Sequence, residues 1–304
     1  MGGSISYHEN SDSIVDPGTK SIISDPISVD PDKLFAGTEA YIRNGKMKNR
    51  ETEFEMSEKD GWWLIKHVYT IPDLFGGGTH TVYNRYKFDA PAKTLQHEFF
   101  AGQVFMDKGT PNFSSKTVIH SDGRVENCVD FHEVRSSGPL LKGLLEKVIG
   151  EMGSKAKVQA NQPSVKDEGS LSALTDPIDD ATVTADTYLD FFKTFLTETM
   201  QATELPDGTI IEERTGMMDL LGLGAKSFSK HVLKKEENHI YCYEYGQDES
   251  LTEMISVTHF QIHKDPFRLE AWNIQVPGRR AGTGQATACK NFMDAIMKSM
   301  EEGA

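Results

Sequence analysis

Phe75-Gly76-Gly77-Gly78-Thr79-His80-Thr81-Val82 returns later in the chain, degenerate but in the same setting, as Leu221-Gly222-Leu223-Gly224-Ala225-Lys226-Ser227-Phe228. Each copy follows an Asp-Leu pair (Asp73-Leu74, Asp219-Leu220), and each lies just past a strand-like run that opens with Asp-Gly (Asp60-Gly61, Asp207-Gly208). Each then leads into further strand patterns and a helix. The chain is therefore read as a tandem repeat, and its 304 residues fit two domains of ordinary size.

Working outward, the first copy gives strands over 62–71, 81–89 and 95–106, and the second over 209–215, 227–234 and 239–246. In the last of these Tyr241, Tyr243 and Tyr245 alternate with Ile240, Cys242 and Glu244, so the tyrosines share one face. Two hairpins with one signature follow. Thr117-Val118-Ile119-His120 turns through Asp122-Gly123 into Arg124-Val125-Glu126, and Phe260-Gln261-Ile262-His263 turns through Asp265-Pro266 into Arg268-Leu269-Glu270. Each half opens with a short amphipathic helix, capped by Asp32 and by Asp186, and closes with a longer one. The closing helices span 139–152, with Leu141, Leu144, Leu145, Val148 and Ile149 on one side, and 283–301, with Phe292, Met293, Ile296, Met297 and Met300. Residues 1–30, rich in Ser, Asp and Pro without periodicity, read as a disordered tail, and 154–181 as a polar linker. The units are thus 31–153 and 182–304.

This order of helix, strand, glycine turn, antiparallel meander and long terminal helix resembles the helix-grip fold of the START-related superfamily, which includes the birch-pollen allergens and the polyketide cyclases. Gly76-Gly77-Gly78-Thr79, the run from His231 to Tyr243, and the two Asp hairpins carry the likeness. It implies an α+β fold of two tandem helix-grip units, each a curved antiparallel sheet wrapped around its own C-terminal helix. It also implies a cavity between sheet and helix for a lipid, sterol or polyketide-like ligand. The candidates for its lining are His97, Phe99, Tyr241, Tyr243, Tyr245, Trp272, Phe292, Met293 and Ile296, with Arg268 nearby.

The expected function is carriage of a hydrophobic small molecule by a protein that is not an enzyme. A cyclase or isomerase is the alternative, with Glu126 or Glu270 as general base, and a structural protein self-associating through degenerate repeats is another. The glycine stretches lack the Gly-Lys-Ser/Thr ending of a phosphate cradle and serve as turns. Ten histidines show no zinc spacing, no cofactor is expected, and His120 and His263 read as turn residues at equivalent places. No Gly-x-Ser-x-Gly elbow occurs, and no cysteine has an obvious base. Cys128, Cys242 and Cys289, an odd and scattered set, read as reduced core residues of a cytoplasmic protein. A net charge of −14 disfavours nucleic acid as a partner. Met1-Gly2-Gly3-Ser4-Ile5-Ser6 fits an N-myristoylation pattern, which makes Gly2 a lipidation candidate and weak membrane association an expectation.

Overall fold

The computed structural model describes residues 5–47, 51–70, 79–136, 138–179, 184–194, 197–198, 202–215, 226–246 and 251–302. Gly2 and the glycines of both stretches lie outside the described residues. The chain builds two antiparallel sheets of nine strands each, with helices on their inner faces, an α+β architecture.

The first sheet begins in the stretch expected to be a tail. Strands β1 (Tyr7–Asn10) and β2 (Ser21–Ser24) form a hairpin, and β2 pairs with β8 (Val125–Phe131). The sheet then runs back through β7 (Phe113–Ile119), β6 (Thr94–Phe100), β5 (Thr79–Asp89) and β4 (Trp62–Thr70) to β3 (Glu53–Lys59). Helix α1 (Pro31–Arg43) is capped by Asp30, not Asp32, because Pro31 occupies the first turn and the Asp30 carboxylate accepts from the Asp32 and Lys33 amides. A short α2 (Gln103–Lys108) replaces the end of the strand expected over 95–106.

The second sheet repeats this plan, and its hairpin lies in the stretch expected to be a linker. Strands β10 (Val158–Pro163) and β11 (Leu171–Thr175) lead, across helix α4 (Ala185–Thr194), into β12 (Thr203–Glu204), β13 (Ile210–Thr215), β14 (Lys226–Glu236), β15 (His239–Gly246), β16 (Met254–Lys264) and β17 (Phe267–Gln275). Both hairpins have strands too short for a periodic signal. They are held by serine and threonine hydroxyls: Ser24 Oγ accepts from the Val125 amide at 2.8 Å, and Thr175 Oγ1 accepts from the Leu269 amide at 3.0 Å.

The closing helices form but are exchanged. Helix α3 (Gly138–Glu151) follows the first sheet in sequence yet packs on β10, β11 and β17 of the second. Its Leu144, Leu145, Val148 and Ile149 share a core with Tyr188 and Phe192 of α4 and Phe260, Ile262 and Leu269 of the second sheet. Helix α5 (Thr283–Glu302) crosses the other way and packs on α1, β1 and β2. There Met293 and Ile296 join Leu34, Phe35, Ile119 and Val125, and Met300 comes so near Gly37 that a Cβ at that position would lie 2.3 Å from its Sδ. The strands that lead into these helices cross as well. β9 (Val134–Ser136) pairs with β17, and β18 (Gly278–Arg280) pairs with β8. Each sheet is therefore wrapped on the helix of the other half, and the second body is one continuous segment, 133–276, inserted between β8 and β18 of the first. Among the described residues no helix is long and apolar enough to cross a membrane.

Two outcomes follow from the exchange. A fragment of residues 133–276 unfolds cooperatively in a circular-dichroism melt, whereas one cut at the repeat boundary, 154–304, lacks α3 and shows no cooperative transition. In the full chain Leu145→Ala, at a fully buried position, destabilises the second body by roughly 2–5 kcal/mol in urea titrations, with the loss read at Trp272 rather than at Trp62 or Trp63.

Candidate functional site

The expected lining residues fall on two different sheets and on opposite kinds of face. Ile240 and Cys242 belong to the core under α3, so strand alternation turns Tyr241, Tyr243 and Tyr245 to the outer face of the second sheet. Lys234 Nζ stands 5.2 Å from the centre of the Tyr243 ring and Lys230 Nζ 4.7 Å from that of Tyr245. Trp272 is buried on the same outer face, stacked on His259 at 4.8 Å, and Arg268 shares its strand face by alternation. His97 and Phe99 instead lie on the inner face of the first sheet, one residue out of register with the tyrosines they were matched to, and a one-residue slip moves a side chain to the opposite face. Phe292, Met293 and Ile296 pack beneath that same sheet. The enclosed hollow beside them, also lined by Phe35 and Leu95, measures ≈ 10 Å³, room for about one water molecule.

Farther along the inner face of the first sheet the lining turns polar. Ile65 is fully buried in the core, and alternation places His67 and Tyr69 on the same side of β4. His67 Nδ1 meets a carboxylate oxygen of Glu51 at 2.6 Å, and Tyr69 donates to that same oxygen at 3.2 Å. Both members of the His67–Glu51 pair are buried, and His67 Nε2 has no hydrogen-bond partner among the described residues. Burial lowers the His67 pKa below the ordinary histidine value, against the pull of Glu51. Burial likewise raises Tyr69, with the Glu51 charge adding to it, and lowers His80, the cross-strand partner of Tyr69. Next along the sheet His97 Nε2 meets Asn84 Oδ1 at 2.8 Å and stacks on Tyr86 at 4.5 Å. Burial brings His97 down to about 3.

Sequence reasoning passed over Glu51, His67 and Tyr69. The available signal was the alternation Trp63, Ile65, His67, Tyr69, which sets a titratable group on an otherwise apolar stripe. The lattice position that Asn84 and His97 occupy in the first sheet carries a different pair in the second. His231 Nδ1 lies 3.7 Å from Cys242 Sγ, so one cysteine does have an imidazole beside it. Glu244 accepts from Ser229 at 3.2 Å and from Ser256 at 2.8 Å on that inner face.

On the outer faces, Glu126 and Glu270 are fully buried carboxylates beneath the loops of the two N-terminal hairpins. Glu126 accepts from Ser21 Oγ at 2.6 Å and the Ile14 amide at 3.0 Å, and contacts His120 Nε2 at 2.9 Å. Glu270 contacts His263 Nε2 at 2.7 Å and accepts from the Val165 amide at 2.9 Å. Burial alone would raise both carboxyls, but the combined hydrogen bonds outweigh it and hold both below the usual range. His120 and His263 are thus partners of buried carboxylates, and Glu126 and Glu270, turned outward and saturated, are fasteners of the hairpins rather than bases facing the interior. Among the described residues no group of three His, Cys, Asp or Glu side chains is arranged to hold a metal ion.

No family model and no curated protein matches this chain. Solved structures similar to it include the Zhui aromatase/cyclase from Streptomyces sp. R1128, with 9% identity over 40% of this chain and 64% of that one and a TM-score of 0.24. The di-domain ARO/CYC StfQ from the steffimycin biosynthetic pathway is 14% identical over 98% and 99% of the two chains, with a TM-score of 0.24. The di-domain ARO/CYC BexL from the BE-7585A biosynthetic pathway is 8% identical over 98% of each, with a TM-score of 0.23. Superpositions this loose transfer neither a site nor an activity.

The buried histidines set a pH dependence. A histidine held neutral in the fold takes up its proton more readily when unfolded, so stability is complete above about pH 6.5 and falls as pH drops toward the folded value. His97, at about 3, and His259, lowered to about 4 by burial, both act in this window. Urea midpoints measured between pH 7 and 4 decline on acidification, and His97→Asn makes that decline shallower. Separately, Glu270→Gln destabilises the second body more than Glu237→Gln does, and it opens the 164–170 loop to limited proteolysis while leaving the 11–20 loop intact.

Proposed function

We propose that this chain binds a small, largely apolar organic molecule, of lipid, sterol or polyketide-like character, against the inner face of the first sheet. In this reading Phe99, Phe113 and Tyr86 supply the apolar surface, and the lone pair on His67 Nε2 is the polar anchor, accepting from a ligand hydroxyl. The observation that carries it is the buried His67–Glu51 pair, whose imidazole presents an unpartnered Nε2 on a face otherwise built for packing. A buried polar atom without a partner costs about 1–3 kcal/mol, a cost that a ligand hydrogen bond removes. The ≈ 10 Å³ hollow under α5 is too small for such a ligand, and this reading therefore puts the ligand at the polar end of the sheet.

Native mass spectrometry of the purified chain after exposure to a lipid and polyketide extract tests the binding. Retention of an apolar compound by the wild type, lost in His67→Phe, is the expected result. A chain that retains nothing overturns it.

A second reading is favoured by the same dyad. A neutral imidazole oriented by a buried carboxylate is a general base, and its lowered pKa keeps it unprotonated at neutral pH. Enolisation of a bound β-dicarbonyl, as a cyclase- or isomerase-type enzyme requires, would then begin with transfer of the carbon-bound proton to His67 Nε2. Deuterium exchange into acetylacetone analogues in heavy water, followed by proton NMR, is expected to exceed the buffer rate, to fall in His67→Gln, and to decline only below the ordinary histidine range. Equal rates for the wild type and His67→Gln exclude catalysis and leave the binding reading standing.

A further inference from the structure

A second concavity opens on the outer face of the second sheet. It has a volume of ≈ 500 Å³ and lies between the β14–β15 turn, with Glu236, Glu237 and Asn238, and Lys166 of the 164–170 hairpin loop. Its floor is Gln261, His239 and Tyr241. We propose that this groove binds a small organic cation that carries N–H donors on a planar group, such as an amidinium or guanidinium.

Three observations converge on that chemistry. Gln261 is 8% exposed, and its Nε2 donates to the Ile262 carbonyl at 3.0 Å, which fixes the amide and leaves Oε1 buried without a hydrogen-bond partner among the described residues. A fixed, unpartnered acceptor on the floor calls for a donor. The rim adds the carboxylates of Glu236 and Glu237, against the single positive charge of Lys166 among the lining residues.

The aromatic surface is of the same character. His239 stacks on Tyr241 at 4.1 Å, and its Nε2 is joined to His259 Nδ1 at 3.1 Å. Burial lowers both imidazoles, so they are neutral at pH 7 and do not repel a cation. The next rings along β15, Tyr243 and Tyr245, already hold Lys234 and Lys230 over their faces. At Tyr241 the residue that reaches the ring is instead Glu236, whose Oε2 accepts from the hydroxyl at 3.3 Å. A ligand cation at this end of the row would meet the carboxylate and the aromatic edge together.

The first sheet offers no equivalent groove surface. The residues that correspond by strand register to His239, Tyr241 and Gln261 are Thr94, Gln96 and Val118, without a ring or a buried amide. At these positions the groove is particular to the second half, and it shares no residue with the inner site proposed above, so the two stand or fall separately.

Benzamidine titrated into the full chain by isothermal calorimetry and by Trp fluorescence tests the assignment, since Trp272 lies 5.5 Å from His239. Saturable binding at one site is expected, with benzoate and benzyl alcohol not binding. Glu236→Gln combined with Glu237→Gln weakens it by roughly tenfold or more, Gln261→Leu weakens it severalfold, and Lys166→Ala strengthens it. Melting curves confirm that each variant is folded. Equal binding of benzoate or benzyl alcohol, an affinity unchanged in both the double variant and Gln261→Leu, or no saturable benzamidine binding overturns the proposal.

Discussion

The whole structure depends on one constraint: neither sheet completes the cover of its inner face with the helix from its own half of the chain. A sheet with one apolar face needs a layer against it, and here the layer for each sheet is delivered by the other half. Leu145 and Val148 of α3 are fully buried only because Phe260, Ile262 and Leu269 lie beneath them, and Ile296 of α5 only because Leu34 and Val125 do. The crossing strands β9 and β18 make the exchange continuous with the hydrogen-bonded sheets, so the two halves of the sequence share backbone as well as side-chain contacts.

The exchange also explains the polar devices on the outer faces. Arg135 of β9 reaches Asp167 at 3.0 Å in the hairpin loop of the second sheet, and Arg279 of β18 reaches Asp16 at 2.7 Å and Thr19 at 2.6 Å in that of the first. Each crossing strand therefore fastens the N-terminal hairpin of the sheet it joins. Beneath the same loops Glu126 and Glu270 hold a backbone amide and a histidine apiece. Buried carboxylates are tolerated because their lone pairs are filled from several directions. The loops themselves repeat, with Ser13 accepting from the Val15 and Asp16 amides as Ser164 does from those of Lys166 and Asp167.

Inside, the two bodies diverge at one lattice position. Asn84 and His97 meet there in the first sheet, His231 and Cys242 in the second. The two copies keep the hydrophobic stripe that packs on the helix, while the polar position beside it differs in chemistry. The inner face of the first sheet, with its incompletely paired His67, and the outer groove of the second, with its incompletely paired Gln261, are two of the places where local satisfaction fails, and sites are expected among such places.

By itself the sequence determined the duplication, the α+β class, the order of the strands from β4 to β8 and from β13 to β17, the Asp hairpins, and the amphipathic stripes of α3 and α5, because each of these is a local period or a turn chemistry. It also held the serine-rich hairpin loops in plain view, as Ser13-Ile14-Val15-Asp16-Pro17-Gly18-Thr19 and Ser164-Val165-Lys166-Asp167-Glu168-Gly169-Ser170. They passed for tail and linker because strands of four to six residues carry no readable period here and their buried serines look like solvent-facing ones. Which sheet each closing helix covers was decided only in three dimensions, since an apolar stripe complements either sheet equally well and nothing local names its partner. The same holds for the faces of the aromatic residues. Alternation says that Tyr241, Tyr243 and Tyr245 share a side, and only the position of α3 says that it is the outer one.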